Sequence, residues 1–226
     1  MLKQIGGGDY NEKARKIWYD YMTNHFGFGQ NTGVEQTGET TGYVPDPVKG
    51  DARNLTYAKT TFGQAMSATM MQIAAAYSAA LNGGNYHKPY LVESSKNAAG
   101  EITHTKTTTV RSSISQATSQ DVVSLVKGVF DHNHVTYGMR QLPESYIVGG
   151  KTGSAEIANP DGGYYTDRFT GTFAGFVGGD RPQYVIVDRV DDPKIWGYAG
   201  SASAAPIFSD LVTMLINNYN VTPKSN

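Results

Sequence analysis

One short run in the sequence combines residue types and spacing into a recognisable chemistry: Gly149-Gly150-Lys151-Thr152-Gly153-Ser154. Its surroundings, Ile147 to Ile157, favour a strand. Along a strand the hydroxyls of Thr152 and Ser154, two residues apart, point to one side, and with the Lys151 ammonium they can hold a carboxylate. Gly153 between them leaves the surface flat enough for a ligand backbone to approach. If the strand is an edge, an extended peptide can pair with it, and the Ser154 N–H can face a developing oxyanion. Lys-Thr-Gly alone recurs by chance in roughly one chain in twenty of this length, so its meaning depends on its surroundings.

Other groups with chemical potential read more simply. His132 and His134 lie near Asp131 with no third ligand close in sequence, which predicts a solvated pair rather than a metal site. Gly6-Gly7-Gly8-Asp9 lacks the Lys-Ser/Thr of a phosphate loop and reads as a turn. Asp191-Asp192 reads as a solvated strand end, and Tyr164 and Tyr165 stand where they could line a cleft. No resident metal and no cofactor is called for. With 19 Lys+Arg against 20 Asp+Glu and a net charge of -1, the chain has no broad positive field for a nucleic-acid partner. There is no Cys, so no thiol nucleophile, thiolate metal site or disulfide. At 39% hydrophobic residues over 226 positions the chain has enough apolar matter for a core, and no apolar run reaches the ~20 residues that span a bilayer.

The elements that must position the run follow from periodicity. Ile17, Tyr21 and Met22 predict a helix over about 10–24, and Gln30 to Lys59, broken by Gly and Pro, predicts a loop. Met66, Met70, Ile73, Ala74, Tyr77 and Leu81 form one face of a helix over 64–81 that stops at Gly83-Gly84, with the methionines (Met71 included) as core. Strands over 88–95 and 101–109 flank a turn at Asn97–Gly100. A helix over about 116–130 turns Val122, Leu125, Val126, Val129 and Phe130 to one side. Strands at Ile147–Ile157, Phe169–Val177 and Gln183–Val190 follow, the last two joined tightly enough to be antiparallel. The last helix, about Ala204 to Asn218, has Ser203 as its expected N-cap, Pro206 in its first turn and Ile207, Phe208, Leu211 and Leu215 on one face. This is an α+β chain.

In this setting the motifs carry a resemblance. Phe26-Gly-Phe-Gly-Gln-Asn-Thr-Gly33 resembles an F-G-F-G-x-x-T-G segment. Thr61-Phe-Gly-Gln64, Thr69-Met-Met-Gln-Ile73, Asn82-Gly-Gly84 and Lys88-Pro-Tyr-Leu-Val92 resemble the block that follows it. Gly150–Ala155 is similar to G-K-T-G-T-A, Phe173-Ala-Gly-Phe-Val177 with Tyr184-Val-Ile186 resembles the strand pair after it, and Ala205-Pro-Ile-Phe208 resembles the start of a last helix. Order and spacing agree, from about residue 10 to 216, with the transpeptidase domain of class B penicillin-binding proteins, the cell-division and elongation type. The resemblance implies a β-lactamase-like fold, present here in part, with residues 1–220 as its C-terminal portion and 221–226 as a tail. It implies a serine acyltransferase, a peptidoglycan D,D-transpeptidase, that cross-links stem peptides and is acylated by β-lactams. Lys151 would then be catalytic, holding the hydrogen-bond network, and Thr152, Gly153 and Ser154 would bind substrate, with the Ser154 N–H as half of an oxyanion hole. Ser154 replaces the family's usual Thr, which keeps the hydroxyl. The implied partners are stem peptides, β-lactams and divisome or elongasome membrane proteins, and the implied location is the outer face of the bacterial cytoplasmic membrane.

The departure lies in the other two motifs, S-x-x-K and S-x-N, which in the family precede K-T-G in that order. Ser124-Leu-Val-Lys127 fits the first string but falls on a helix explained by packing, and Ser95-Lys-Asn97 fits the second at an expected turn. Both stand out of order, so the nucleophile is expected upstream of Met1. A chain without that segment is expected to expose the apolar faces of its helices and to be marginally stable or to aggregate. A non-catalytic module binding peptidoglycan peptides or a divisome partner, or part of a β-lactamase-like hydrolase, are the alternative readings.

Overall fold

The computed structural model describes residues 1–50, 53–139, 143–195 and 199–225, which divide into two compact units, Met1–Ser115 and Gln116–Asn226. The first holds α1 (Leu2–Ile5), α2 (Glu12–Asp20), α3 (Arg53–Thr60), α4 (Met70–Leu81) and four short strands, β1 (Asn85–His87), β2 (Ser94–Lys96), β3 (Ile102–His104) and β4 (Thr109–Ser112). Strands β1 and β4 pair antiparallel, and β2 and β3 form the hairpin expected around Asn97–Gly100. Asn11 caps α2 by accepting from the Ala14 N–H at 3.0 Å, and a π-helical turn, Tyr21–His25, continues that helix.

Three expectations change in this unit. The strands expected over 88–95 and 101–109 shorten to the three-residue β2 and β3, with β4 starting at Thr109. The stretch read as loop contains α3, whose eight residues owe their helix to distant contacts: Tyr57 OH donates to Pro45 O at 2.6 Å and Trp18 Nε1 donates to Thr60 Oγ1 at 3.0 Å. Helix α4 starts at Met70, because Thr69 and Gln72 form a reciprocal capping box. Its buried residues are Gln72, Ala75, Ala76, Ala79 and Leu81 instead of the methionine stripe. The fully buried Gln72 stands on that side because its amide also donates to Gln30 O and Thr41 O, at 2.6 and 2.8 Å. Met66 and Ile73 line an apolar cavity of about 460 Å³ with Trp18, Phe26 and Phe28.

The second unit is built on three antiparallel strands in the order β5-β6-β7: β5 (Ile147–Ala158), β6 (Tyr164–Gly178) and β7 (Pro182–Asp191). Helix α5 (Gln116–Asn133) packs on β5, and α6 (Ala205–Asn218) contacts β6 and β7. Phe173, Val177, Ile186, Phe208 and Val212 form its core, with the Phe173 and Phe208 rings 4.3 Å apart. Two glycines admit two phenylalanines: a Cβ at Gly149 would strike the Phe176 ring, and a Cβ at Gly150 the Phe173 ring. Since successive residues of a strand face opposite ways, these rings cover opposite sides of β5.

Helix α5 departs from the expected packing. Its buried residues are Ser119 and Phe130, and Leu125 is 69% exposed. Helix α6 begins differently too: a π-helical turn, Gly200–Ala204, runs into it, so Ser203 is inside that turn, its hydroxyl donates to Ala199 O, and the N-cap position falls on Ala204 with no side-chain bond. Ile207 on the expected face is 43% exposed, whereas Phe208 and Val212 are fully buried.

Candidate active site

Among the described residues β5 is an outer strand of its sheet, which leaves the backbone of the Lys-Thr-Gly run open on one side. Lys151 shares a face with Gly149 and Gly153, and Thr152 shares the other with Gly150 and Ser154. The lysine therefore starts on the side opposite the two hydroxyls, but its chain folds back over the strand. Its Nζ donates to Thr152 O at 2.9 Å and to Thr152 Oγ1 at 3.1 Å. Ammonium and first hydroxyl thus meet at the outer strand.

The second hydroxyl has its own partner. Ser154 Oγ accepts a hydrogen bond from Gly200 N at 2.9 Å, at the start of the π-helical turn. On the Lys151 face, Thr172 stands opposite Gly153 in the ladder, and its Oγ1 occupies the space a Cβ at 153 would need. Neither Thr172 nor Gly200 is legible as a neighbour of the run from sequence alone. Their signal, a glycine preceding small residues and a threonine on the adjacent strand, acquires meaning only through register and chain reversal.

Beside this site lies a carboxyl in an unusual place. Asp188 stands opposite Phe173 on β7, in the row Thr152–Phe173–Asp188 across the sheet. Both its oxygens are buried, among the described residues neither has a hydrogen-bond partner, and burial pushes the group up to about 7.

The other sequence candidates go elsewhere. Ser124 is exposed on α5 and Lys127 pairs with Asp131 one helical turn on. Asn97 closes the β2–β3 hairpin, its side chain donating to Glu101 Oε2 at 2.6 Å and accepting from Glu101 N at 3.0 Å. His134 stacks on Phe130, with ring centres 5.7 Å apart. Tyr165 carries the Arg168 guanidinium 4.7 Å above its ring, while Tyr164 is exposed. Asp191 and Asp192 are ion-paired with Arg189 and Arg168, which holds both carboxyls below the usual aspartate range. For Asp191 the hydrogen bond from Arg189 is the largest cause, and for Asp192 that from Lys194. Among the described residues no group of three or more His, Cys, Asp or Glu is placed to hold a metal ion.

Residues 12–213 match the family model for the penicillin binding protein transpeptidase domain. The chain belongs to that family. It is 34% identical over 204 residues to stage V sporulation protein D of Bacillus subtilis, covering 89% of this chain and 30% of that protein. It is 32% identical over 212 residues to penicillin-binding protein PbpB of Mycobacterium tuberculosis, covering 90% of this chain and 30% of that one. The crystal structure of penicillin binding protein 3 from Mycobacterium tuberculosis, complexed with ampicillin, superposes with a TM-score of 0.80 at 30% identity, covering 93% of this chain and 47% of that one. The same protein complexed with aztreonam gives 0.79 at 28% identity, with 99% and 52% covered. The fold is thus the α+β, β-lactamase-like fold of penicillin-binding transpeptidase domains. The chain spans about a third of the length of the curated relatives it matches.

Proposed function

We propose that residues 1–226 supply the K-T-G part of a serine-type peptidoglycan D,D-transpeptidase, which cross-links stem peptides and takes β-lactams at the same place. The observation that carries this reading is the cluster on the outer strand β5: the Lys151 ammonium 3.1 Å from Thr152 Oγ1, with the Ser154 hydroxyl two residues on, beside an open backbone edge. Two hydroxyls and an ammonium complement the terminal carboxylate of a D-alanyl-D-alanine stem and the equivalent carboxylate of a penicillin. The open edge suits an extended peptide, and the Ser154 N–H serves as one oxyanion donor.

In the reaction a serine oxygen, contributed in this reading by another part of the enzyme, attacks the carbonyl carbon before the terminal D-alanine. The C–N bond breaks as the serine proton passes to the departing nitrogen, and D-alanine leaves as the amine; an amine of a second stem peptide then forms a new C–N bond while the ester C–O bond breaks, and its proton returns to the serine oxygen. Lys151 positions the carboxylate end and contributes positive potential to the developing oxyanion. In the β-lactam case the same attack opens the ring. The ampicillin and aztreonam complexes of the Mycobacterium tuberculosis relative support that side of the reading. Among the described residues no helix is long and apolar enough to cross a membrane. An extracytoplasmic, membrane-associated setting and divisome or elongasome partners are proposed on family grounds.

The test is acylation by a fluorescent penicillin in the full-length protein that contains these residues. Lys151→Ala is expected to reduce labelling at least ~100-fold, the scale of losing one preorganised electrostatic group. Undiminished labelling in a folded variant would remove the assignment.

A further inference from the structure

Ser154 Oγ has one proton to give and two lone pairs, and one lone pair is taken by Gly200 N at 2.9 Å. A hydroxyl held in this way has its proton left for another acceptor. The π-helical turn that delivers the Gly200 N–H lies flush on the sheet at two points. On β6 a Cβ at Gly171 would strike the Ala199 carbonyl, and on β5 a Cβ at Gly200 would strike the Gly153 carbonyl and stand 3.1 Å from Ser154 Oγ. The turn continues into α6, whose Phe208 is fully buried against Phe173, so it is fixed from behind as well. A side chain at position 200 would lift the turn from the strand and withdraw the N–H.

We propose that Gly200 is a positioning residue: its N–H holds Ser154 Oγ as an acceptor, so that the serine proton is aimed at the carboxylate of the bound ligand. This rests on the reading of Ser154 as a carboxylate-binding residue. Gly200 touches no ligand in this arrangement and acts through Ser154.

The experiment uses the 15N-labelled 226-residue chain at pH 5.5, titrated with N-acetyl-D-alanyl-D-alanine, with amide shifts giving affinity and hydrogen exchange reporting on the Gly200 N–H. Ser154→Ala is expected to lose binding and to speed Gly200 exchange about tenfold while β6 amides keep their protection. Ser154→Thr is expected to restore both. Gly200→Ala is expected to weaken binding about fivefold, the scale of one net hydrogen bond. Full affinity in Gly200→Ala, with binding lost in Ser154→Ala, overturns the positioning role and leaves the carboxylate reading standing. Full affinity in Ser154→Ala, or no shift in the unmodified chain, defeats the carboxylate reading and this inference with it. If Gly200→Ala does not fold, the Gly200 exchange rate in Ser154→Ala decides: faster exchange supports the bond as the holding contact, and an unchanged rate refutes it.

Discussion

Asp188 faces the apolar side of β7 two residues from the buried Ile186, and among the described residues neither buried carboxylate oxygen has a hydrogen-bond partner. An unpaired charge there is costly, so the folded chain favours the protonated form. Desolvation raises its pKa from the usual 3.8 to about 7. The folded state thus binds this proton more tightly than the unfolded state. The resulting stability is complete below about pH 4 and is lost as pH climbs through 7. Thermal unfolding temperatures should fall from pH 4 to pH 8. Asp188→Val should flatten that slope and stabilise the chain at pH 8 by about 1–3 kcal/mol; identical slopes in variant and parent would refute the assignment. Two glycines give a paired prediction at the same scale. Gly150→Ala drives a methyl into the Phe173 ring and should cost about 1–3 kcal/mol in urea unfolding. Gly128, inside α5 with nothing among the described residues within 4 Å of a Cβ there, should gain about 0.5–1 kcal/mol as alanine.

Helix α4 shows how an element is fixed by its ends and by one polar side chain. Thr69→Ala removes half the capping box and should lower stability by about 1 kcal/mol. Gln72→Ala should cost more, about 2–3 kcal/mol by thermal unfolding, because it also strands the carbonyls of Gln30 and Thr41. A smaller loss for Gln72→Ala than for Thr69→Ala would show that those bonds are not stabilising. The same helix marks where sequence reasoning succeeds and fails. Its apolar period and the Gly83-Gly84 stop locate it and Leu81 is buried as expected, but hydrophobicity misses part of the buried side, since a buried glutamine looks polar until its acceptors, 31 and 42 residues away, are known. Helix α3 escapes detection for a related reason: its stability comes from Pro45 and Trp18, not from its own pattern. Strand β6 begins at Tyr164, five residues before the expected Phe169, whereas β5 and β7 are legible to within a residue at each end, because β-favouring side chains and short turns are local signals. The Lys-Thr-Gly run is legible for the same reason. Its contact with Gly200, 46 residues on, arises only when β6 and β7 return the chain to β5.

At the scale of the whole chain, charge and exposed apolar surface act together. Phe62, Leu125 and Val135 are 68%, 69% and 77% exposed, and the net charge of -1 offers little repulsion between copies. The sequence pI is about 6.5, so repulsion vanishes near that pH and grows on either side of it. Self-association of the 226-residue chain should therefore peak near pH 6.5 and decline toward both pH 5 and pH 8.5. Folding stability follows a different course: through Asp188 it is greatest on the acid side and falls through pH 7. The two effects agree below the pI and oppose each other above it. At pH 5.5 the chain is both positively charged and stabilised by the Asp188 proton; at pH 8.5 it is dispersed but weakened. Light scattering across this range reads the first effect and thermal unfolding the second. Asp188→Val should change the unfolding profile and leave the scattering maximum within about half a pH unit, because removing one carboxylate moves the net charge by at most about one. A scattering maximum that followed the unfolding profile instead would mean that association proceeds through the unfolded chain, not through the exposed apolar side chains of the folded one.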